Sequence, residues 1–156
     1  MNAPAMPVNR RILVIEDDLH VAEMIAKIVE RHGCEAVTAS DGVEAISKVM
    51  ASPTHMIILD IMMPFFSGYW YCDVFKKNPA TKEIPVVIIS ALDKKSDIEK
   101  GLKLGADAYV TKPFTEEGLM ATIESIFARK AKGGKKQKKQ KKQKKQKKQK
   151  KQSPGT

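Results

Sequence analysis

Apolar residues along this chain come in two kinds of run, continuous and periodic, and the two kinds alternate. Ile12-Leu13-Val14-Ile15, Met56-Ile57-Ile58-Leu59 and Val86-Val87-Ile88-Ile89 are continuous. Such runs, bounded by turn signals, predict strands buried on both faces of a sheet. Glu35–Ser40 and Ala108–Thr111 are mixed, as expected of edge strands. Between the strands the apolar positions take helical spacing. Val21, Met24, Ile25, Ile28 and Val29 predict one helical face, closed by Gly33. Asp41 with Glu44 forms a capping-box pattern, and Val43, Ala45, Ile46 and Val49 follow as the expected buried side of a second helix. Ser67-Gly68 opens a third helix reaching about Asn78-Pro79, and Ser96 with Glu99 opens a fourth that Gly105 closes. Thr115 is placed to cap a last helix, whose first turn carries Glu116 and Glu117 where the helix dipole favours acids.

The resulting order is a strand-helix pair repeated five times. That order implies an α/β fold, a parallel sheet covered by helices on both faces, with right-handed crossovers. Strands one, three and four are the continuously apolar ones, so two and five belong at the edges. This predicts a flavodoxin-like (βα)5 three-layer sandwich with strand order 2-1-3-4-5. The expected organisation is a loose arm over residues 1–8, a body over 9–130 and a polar tail over 131–156.

In an open α/β sheet, ligands bind beyond the carboxyl ends of the strands, where the strand order reverses. Here that point lies between strands one and three. Glu16 and Asp17 follow strand one, Asp60 ends strand three, Ser90 ends strand four and Lys112 follows strand five. A continuously buried strand should not end in a carboxylate without a partner or a task. Three gathered carboxylates repel one another unless a cation joins them, and one lysine is too little. Hard oxygen ligands of this kind suit Mg²⁺. A metal beside a carboxylate nucleophile, with a hydroxyl and an ammonium to hold phosphoryl oxygens, makes a phosphoryl-transfer arrangement. Singly, each residue has a plainer reading: Asp60 as a cap, Ser90 as a turn former, Lys112 as a solvated cation, Glu16-Asp17-Asp18 as a helix start. Their convergence on one end of one sheet is what favours the chemical reading.

On these residues, from about 9 to 130, the chain resembles the receiver domain of two-component response regulators. The matching features are Glu16-Asp17, Asp60 with Pro64 and Gly68, Ser90-Ala91 and Lys112-Pro113-Phe114. The resemblance implies that Asp60 is a phosphoacceptor served by a histidine kinase or a histidine phosphotransfer protein. It implies that Asp17 binds Mg²⁺ directly, Glu16 mostly through water, and the Met62 carbonyl as a further ligand. It also implies a cis bond before Pro113. Ser90 and Tyr109 would act as a switch that reshapes the surface of the fourth helix, fifth strand and fifth helix for a downstream protein target, the chain being a monomer or a phosphorylation-linked dimer. The expected activity is confined to phosphorylation and dephosphorylation of Asp60. No Gly-rich nucleotide loop and no Asp-x-Asp pattern around Asp60 points to an independent enzyme. The competing reading is a phosphorylation-independent adaptor.

Two features depart from the family pattern. Phe65, Phe66, Tyr69, Trp70 and Tyr71 put five aromatics within seven residues. Tyr69 and Tyr71 are expected in the core, whereas Phe65 and Trp70 are candidates for a partner patch. Met62 and Leu92, both apolar, stand where the resemblance puts the approach of the hydrolytic water, which implies a long-lived aspartyl phosphate.

Charge changes the picture only at one end. The formal net charge is +10, but residues 135–152 are Lys-Lys-Gln repeated six times. Without those twelve lysines the chain has 16 basic and 18 acidic residues, a net −2. A run with no apolar residue cannot offset its ordering entropy, so this tail is expected to be disordered. Its chemistry suits non-specific contact with polyanions, a nucleic acid or an acidic surface, which gives a second competing reading of the whole chain as a polyanion-binding protein. Cys34 and Cys72 have no metal or redox spacing and are expected to be buried thiols. No apolar run approaches the roughly 18–20 residues that a membrane span requires, and residues 1–7 lack a leader pattern. A cytoplasmic location is the expectation.

Overall fold

The structure is a computed structural model and describes residues 9–133. The arm expected over residues 1–8 and the Lys-Lys-Gln tail lie outside the described residues. Strands β1 (Arg11–Ile15), β2 (Glu35–Ala39), β3 (Met56–Asp60), β4 (Val86–Ser90) and β5 (Ala108–Thr111) alternate with helices. The helices are α1 (Leu19–Arg31), α2 (Gly42–Ala51), α3 (Gly68–Lys77) and α4 (Lys95–Lys103). Among the described residues, helix α5 covers residues 116–133. The chain divides after Thr122 into two compact units. The first holds the sheet, α1 to α4 and the opening turns of α5; the second holds, among the described residues, the later turns of α5.

The sheet runs β2-β1-β3-β4-β5 with every pairing parallel, as the apolar pattern predicts. All five residues of β3 and of β4 are buried. Successive strand side chains point to opposite faces. Leu13, Ile57, Leu59, Val86 and Ile88 therefore pack on one side with Ala45 and Val49 of α2 and Tyr69, Cys72 and Phe75 of α3. Ile12, Val14, Ile58, Val87 and Ile89 are equally buried at the alternating positions, and α1 lies against β1 and β2. Each such side chain contributes about 1.5–3 kcal/mol on burial, which fixes the register and hence where each strand ends. In that register Ile15 pairs with Leu59, Asp60 with Ile89 and Ser90 with Thr111.

Helix faces and starts differ from expectation in three places. Met24 is 46% exposed, and the buried face of α1 uses Ala22 with Ile25, Ile28 and Val29. In α2, Val43 and Ile46 face outward, and the buried positions are Gly42, Ala45 and Val49. The cause lies at Gly42, where any Cβ would overlap the Tyr71 ring. Close approach at that glycine turns Val43 out of the core. Helix α4 begins before Ser96: the Asp97 carboxylate accepts the Lys94 N–H at 3.2 Å, so the helix starts at Lys95. The other caps match their patterns better. Asp41 accepts the Glu44 N–H at 2.8 Å, although the Glu44 carboxylate goes to the Ser40 N–H and hydroxyl instead of to Asp41. Thr115 accepts the Gly118 N–H at 3.0 Å. Among the described residues no helix is long and apolar enough to cross a membrane.

Candidate functional site

The ends of β1, β3, β4 and β5 deliver their polar residues to one place. Glu16 leaves β1 with its N–H on the Ala39 carbonyl at 3.0 Å, and the Lys112 N–H holds the Ser90 carbonyl at 2.8 Å. These backbone bonds extend the ladder by one residue and aim the side chains. Glu16, Asp60 and Ser90 are buried, whereas Asp17 is exposed. Carboxylate oxygens of Glu16, Asp17 and Asp60 lie within 4.8 Å of one another. The Lys112 ammonium sits 3.2 Å from Asp60 Oδ2 and 3.2 Å from Glu16 Oε2. Asp60 Oδ1 accepts the Met62 N–H at 3.1 Å, and Glu16 Oε1 accepts the Asp18 N–H at 3.3 Å.

The electrostatics follow from burial. Desolvation, helped by a hydrogen bond and repulsion from Asp60, pushes the Glu16 carboxyl up to about 7, against the pull of Lys112 and the Asp18 amide. Desolvation lowers Lys112, but Asp60 and Glu16 outweigh it and the ammonium is held above its ordinary value. Three carboxylates facing one ammonium leave negative charge for a further cation to balance. The donors are all hard oxygens, one of them exposed, and this fits Mg²⁺ better than a soft or imidazole-seeking metal.

The turn between β3 and α3 is shaped by close packing. The Gly68 N–H donates to the Ile61 carbonyl at 2.8 Å, and a Cβ at Gly68 would meet the Asp60 carbonyl oxygen and, at 2.7 Å, Ile61 Cα. Pro64 accepts the Phe66 N–H at 3.0 Å. The Lys112-Pro113 bond is cis. Ser90 and Tyr109 lie beside one another and both bond Leu92: Ser90 Oγ accepts the Leu92 N–H at 3.2 Å, and the Tyr109 hydroxyl donates to the Leu92 carbonyl at 2.6 Å.

The aromatic cluster divides as the pattern predicts. Tyr69 and Tyr71 are buried; Phe65 is 98% exposed with φ of 72°, a left-handed conformation unusual for a bulky residue. Phe66, omitted from the predicted patch, stacks on Trp70 with centroids 4.8 Å apart. Their four-residue spacing was the available signal. A second contact has no signal in the sequence: the Tyr69 hydroxyl donates to the Asp97 carbonyl at 3.0 Å, linking α3 to α4.

Comparison with known proteins agrees with this geometry. Residues 12–124 match the response regulator receiver domain family. Protein PilG of Pseudomonas aeruginosa is 36% identical over 115 residues, covering 74% of this chain and 85% of PilG. The phosphate regulon transcriptional regulatory protein PhoB of Escherichia coli is 37% identical over 120 residues, 77% of this chain. The match spans only 52% of PhoB, about half its length. The receiver domain of the Francisella response regulator 1452 superposes with a TM-score of 0.72 at 33% identity, covering 78% of this chain and 98% of that one.

Proposed function

The chain belongs to the response regulator receiver domain family, and from that premise we propose that it is a phosphorelay switch with Asp60 as phosphoacceptor. The observation that carries this reading is the placement of Lys112, 3.2 Å from both Asp60 and Glu16, beside a three-carboxylate cluster. A histidine kinase or histidine phosphotransfer protein supplies the phosphoryl group. An Asp60 oxygen attacks phosphorus as the bond from phosphorus to the donor imidazole nitrogen breaks, and the imidazole leaves with that electron pair. Lys112 holds the Asp60 carboxylate in place for attack and then holds a phosphoryl oxygen; the buried Ser90 hydroxyl offers a second donor. Glu16, Asp17 and Asp60, with the Met62 carbonyl, would hold Mg²⁺, which supplies neutralisation of the charge on the transferring group.

The output follows from what Ser90 and Tyr109 share. A Ser90 hydroxyl drawn toward the phosphoryl group shifts Leu92, and Tyr109 is bonded to the Leu92 carbonyl. The face made by α4, β5 and the first turns of α5 then changes for a downstream target, a local charge event biasing a two-state element.

The test is exposure to acetyl phosphate with and without Mg²⁺, with phosphoprotein read by intact mass. Wild type should be modified only with Mg²⁺, and Asp60→Asn not at all. Metal-independent modification, or modification that survives Asp60→Asn, would overturn the reading.

A further inference from the structure

Helix α4 is attached to the fold by little. Its only buried position is Gly101, whereas α1 has four and α3 has five. Leu102 is 47% exposed. An element with so few buried apolar contacts is easily displaced, and the few bonds it makes decide where it rests. Two come from neighbouring tyrosines. Tyr109 gives its hydroxyl to Leu92, just ahead of α4, and its ring lies where a Cβ on Gly101 would be 3.1 Å away. Tyr69 gives its hydroxyl to the Asp97 carbonyl inside the first turn of α4, at 3.0 Å. The Lys100 ammonium, one turn on, lies 4.5 Å from the centre of the Tyr69 ring.

The other end of this link is the phosphoacceptor turn. Tyr69 is 8% exposed and follows Gly68, whose Cα is packed directly on the backbone of Asp60 and Ile61. Asp60 and α4 are thus joined by a route through α3 and Tyr69, whose hydroxyl also lies beside that of Tyr109. Burial, with the nearby Tyr109 hydroxyl adding to it, pushes the Tyr69 phenol up to about 12, so it stays a donor throughout the physiological range.

We propose that Tyr69 is a positioning residue that ties the phosphoacceptor turn to helix α4, so that the two shift together. The resting link stands on the contacts above, and only its response to phosphorylation rests on Asp60 being the acceptor. A hydroxyl between two packed elements is the physical coupling that a shared motion requires.

Amide hydrogen exchange of the full chain tests it in two arms. At rest, Tyr69→Phe should speed exchange of the Asp97 and Ile98 amides, which close the first turn on the Lys94 carbonyl, by about three- to tenfold. Amides of β1 and β3 should keep their wild-type rates, and Tyr69→Leu should repeat the pattern. With acetyl phosphate and Mg²⁺, the α4 amides of wild type should change and those of Tyr69→Phe should change less, at an equal phosphoprotein fraction by mass. Unchanged α4 exchange at rest, or a uniform rise across all strands, would overturn the link. If no phosphoprotein forms, the reading of Asp60 fails while the resting arm still decides the role of Tyr69.

Discussion

Lys112 reaches across a whole strand to meet Asp60. Its ammonium lies 3.2 Å from Asp60 Oδ2, although β4 separates β5, which Lys112 follows, from β3, which Asp60 ends. The same ammonium meets Glu16 beyond β1. One cation therefore serves carboxylates from two strands, and it is 22% exposed while they are 3% and 5% exposed.

Lys112→Met should consequently do two separable things. It takes the ammonium from two buried carboxylates, leaving them the Met62 and Asp18 amides, which costs on the order of 1–3 kcal/mol of stability in metal-free protein. On the proposed chemistry it also removes a phosphoryl-oxygen donor, so modification by acetyl phosphate should slow by at least about tenfold even with saturating Mg²⁺. Urea unfolding and intact mass measure the two effects; Mg²⁺ should restore stability but not the rate.

The raised Glu16 carboxyl gives metal-free protein a distinct pH profile. The folded state keeps its proton up to about 7, above the ordinary value of 4.5. Over that window the folded state binds more protons than the unfolded chain, so stability falls as pH rises through it. The contribution is complete below 4.5 and gone above about 7. A metal needs its ligands deprotonated. Mg²⁺ should therefore raise the melting temperature more at about pH 8 than at about pH 6. Thermal melts in chelator and in Mg²⁺ across this range are the check, and equal Mg²⁺ shifts at both ends would contradict it.

Gly68 is fixed by close approach and not by an unusual φ. A Cβ there meets backbone atoms of Asp60 and Ile61, which cannot rotate away. Gly68→Ala should destabilise the protein by about 1–3 kcal/mol and slow Asp60 modification, because the turn carrying Asp60 must move. A variant that melts and is modified like wild type would show that the turn has slack.

How much of this was written in the sequence depends on distance along the chain. Strands β1, β3 and β4 were legible because burial on both faces leaves an unbroken apolar run. Glu16, Asp60 and Ser90 were legible because each stands where such a run stops. Helix faces were less so: Val43 fits the apolar period of α2, but the approach of Gly42 to Tyr71 turns it out, and no local pattern records a contact between α2 and α3. The Tyr69 bond to Asp97 spans 28 residues and uses a backbone carbonyl, which has no residue identity to read. The stacking of exposed Phe66 on Trp70 was readable from its four-residue spacing.

Met62 is 57% exposed while its N–H is committed to Asp60 Oδ1. The side chain is thus free to vary without disturbing the bond that orients the carboxylate. An apolar group at this rim offers an attacking water no hydrogen bond, and half-buried Leu92 adds none from the β4 side. An amide at position 62 would supply both a donor and an acceptor for that water. Met62→Asn should therefore shorten the half-life of the Asp60 phosphoprotein several-fold, while substitution at an exposed position should leave the unfolding free energy within about 0.5 kcal/mol of wild type. The decay is followed by mass after removal of acetyl phosphate. An unchanged half-life would mean that water reaches the phosphoryl group by a path Met62 does not border.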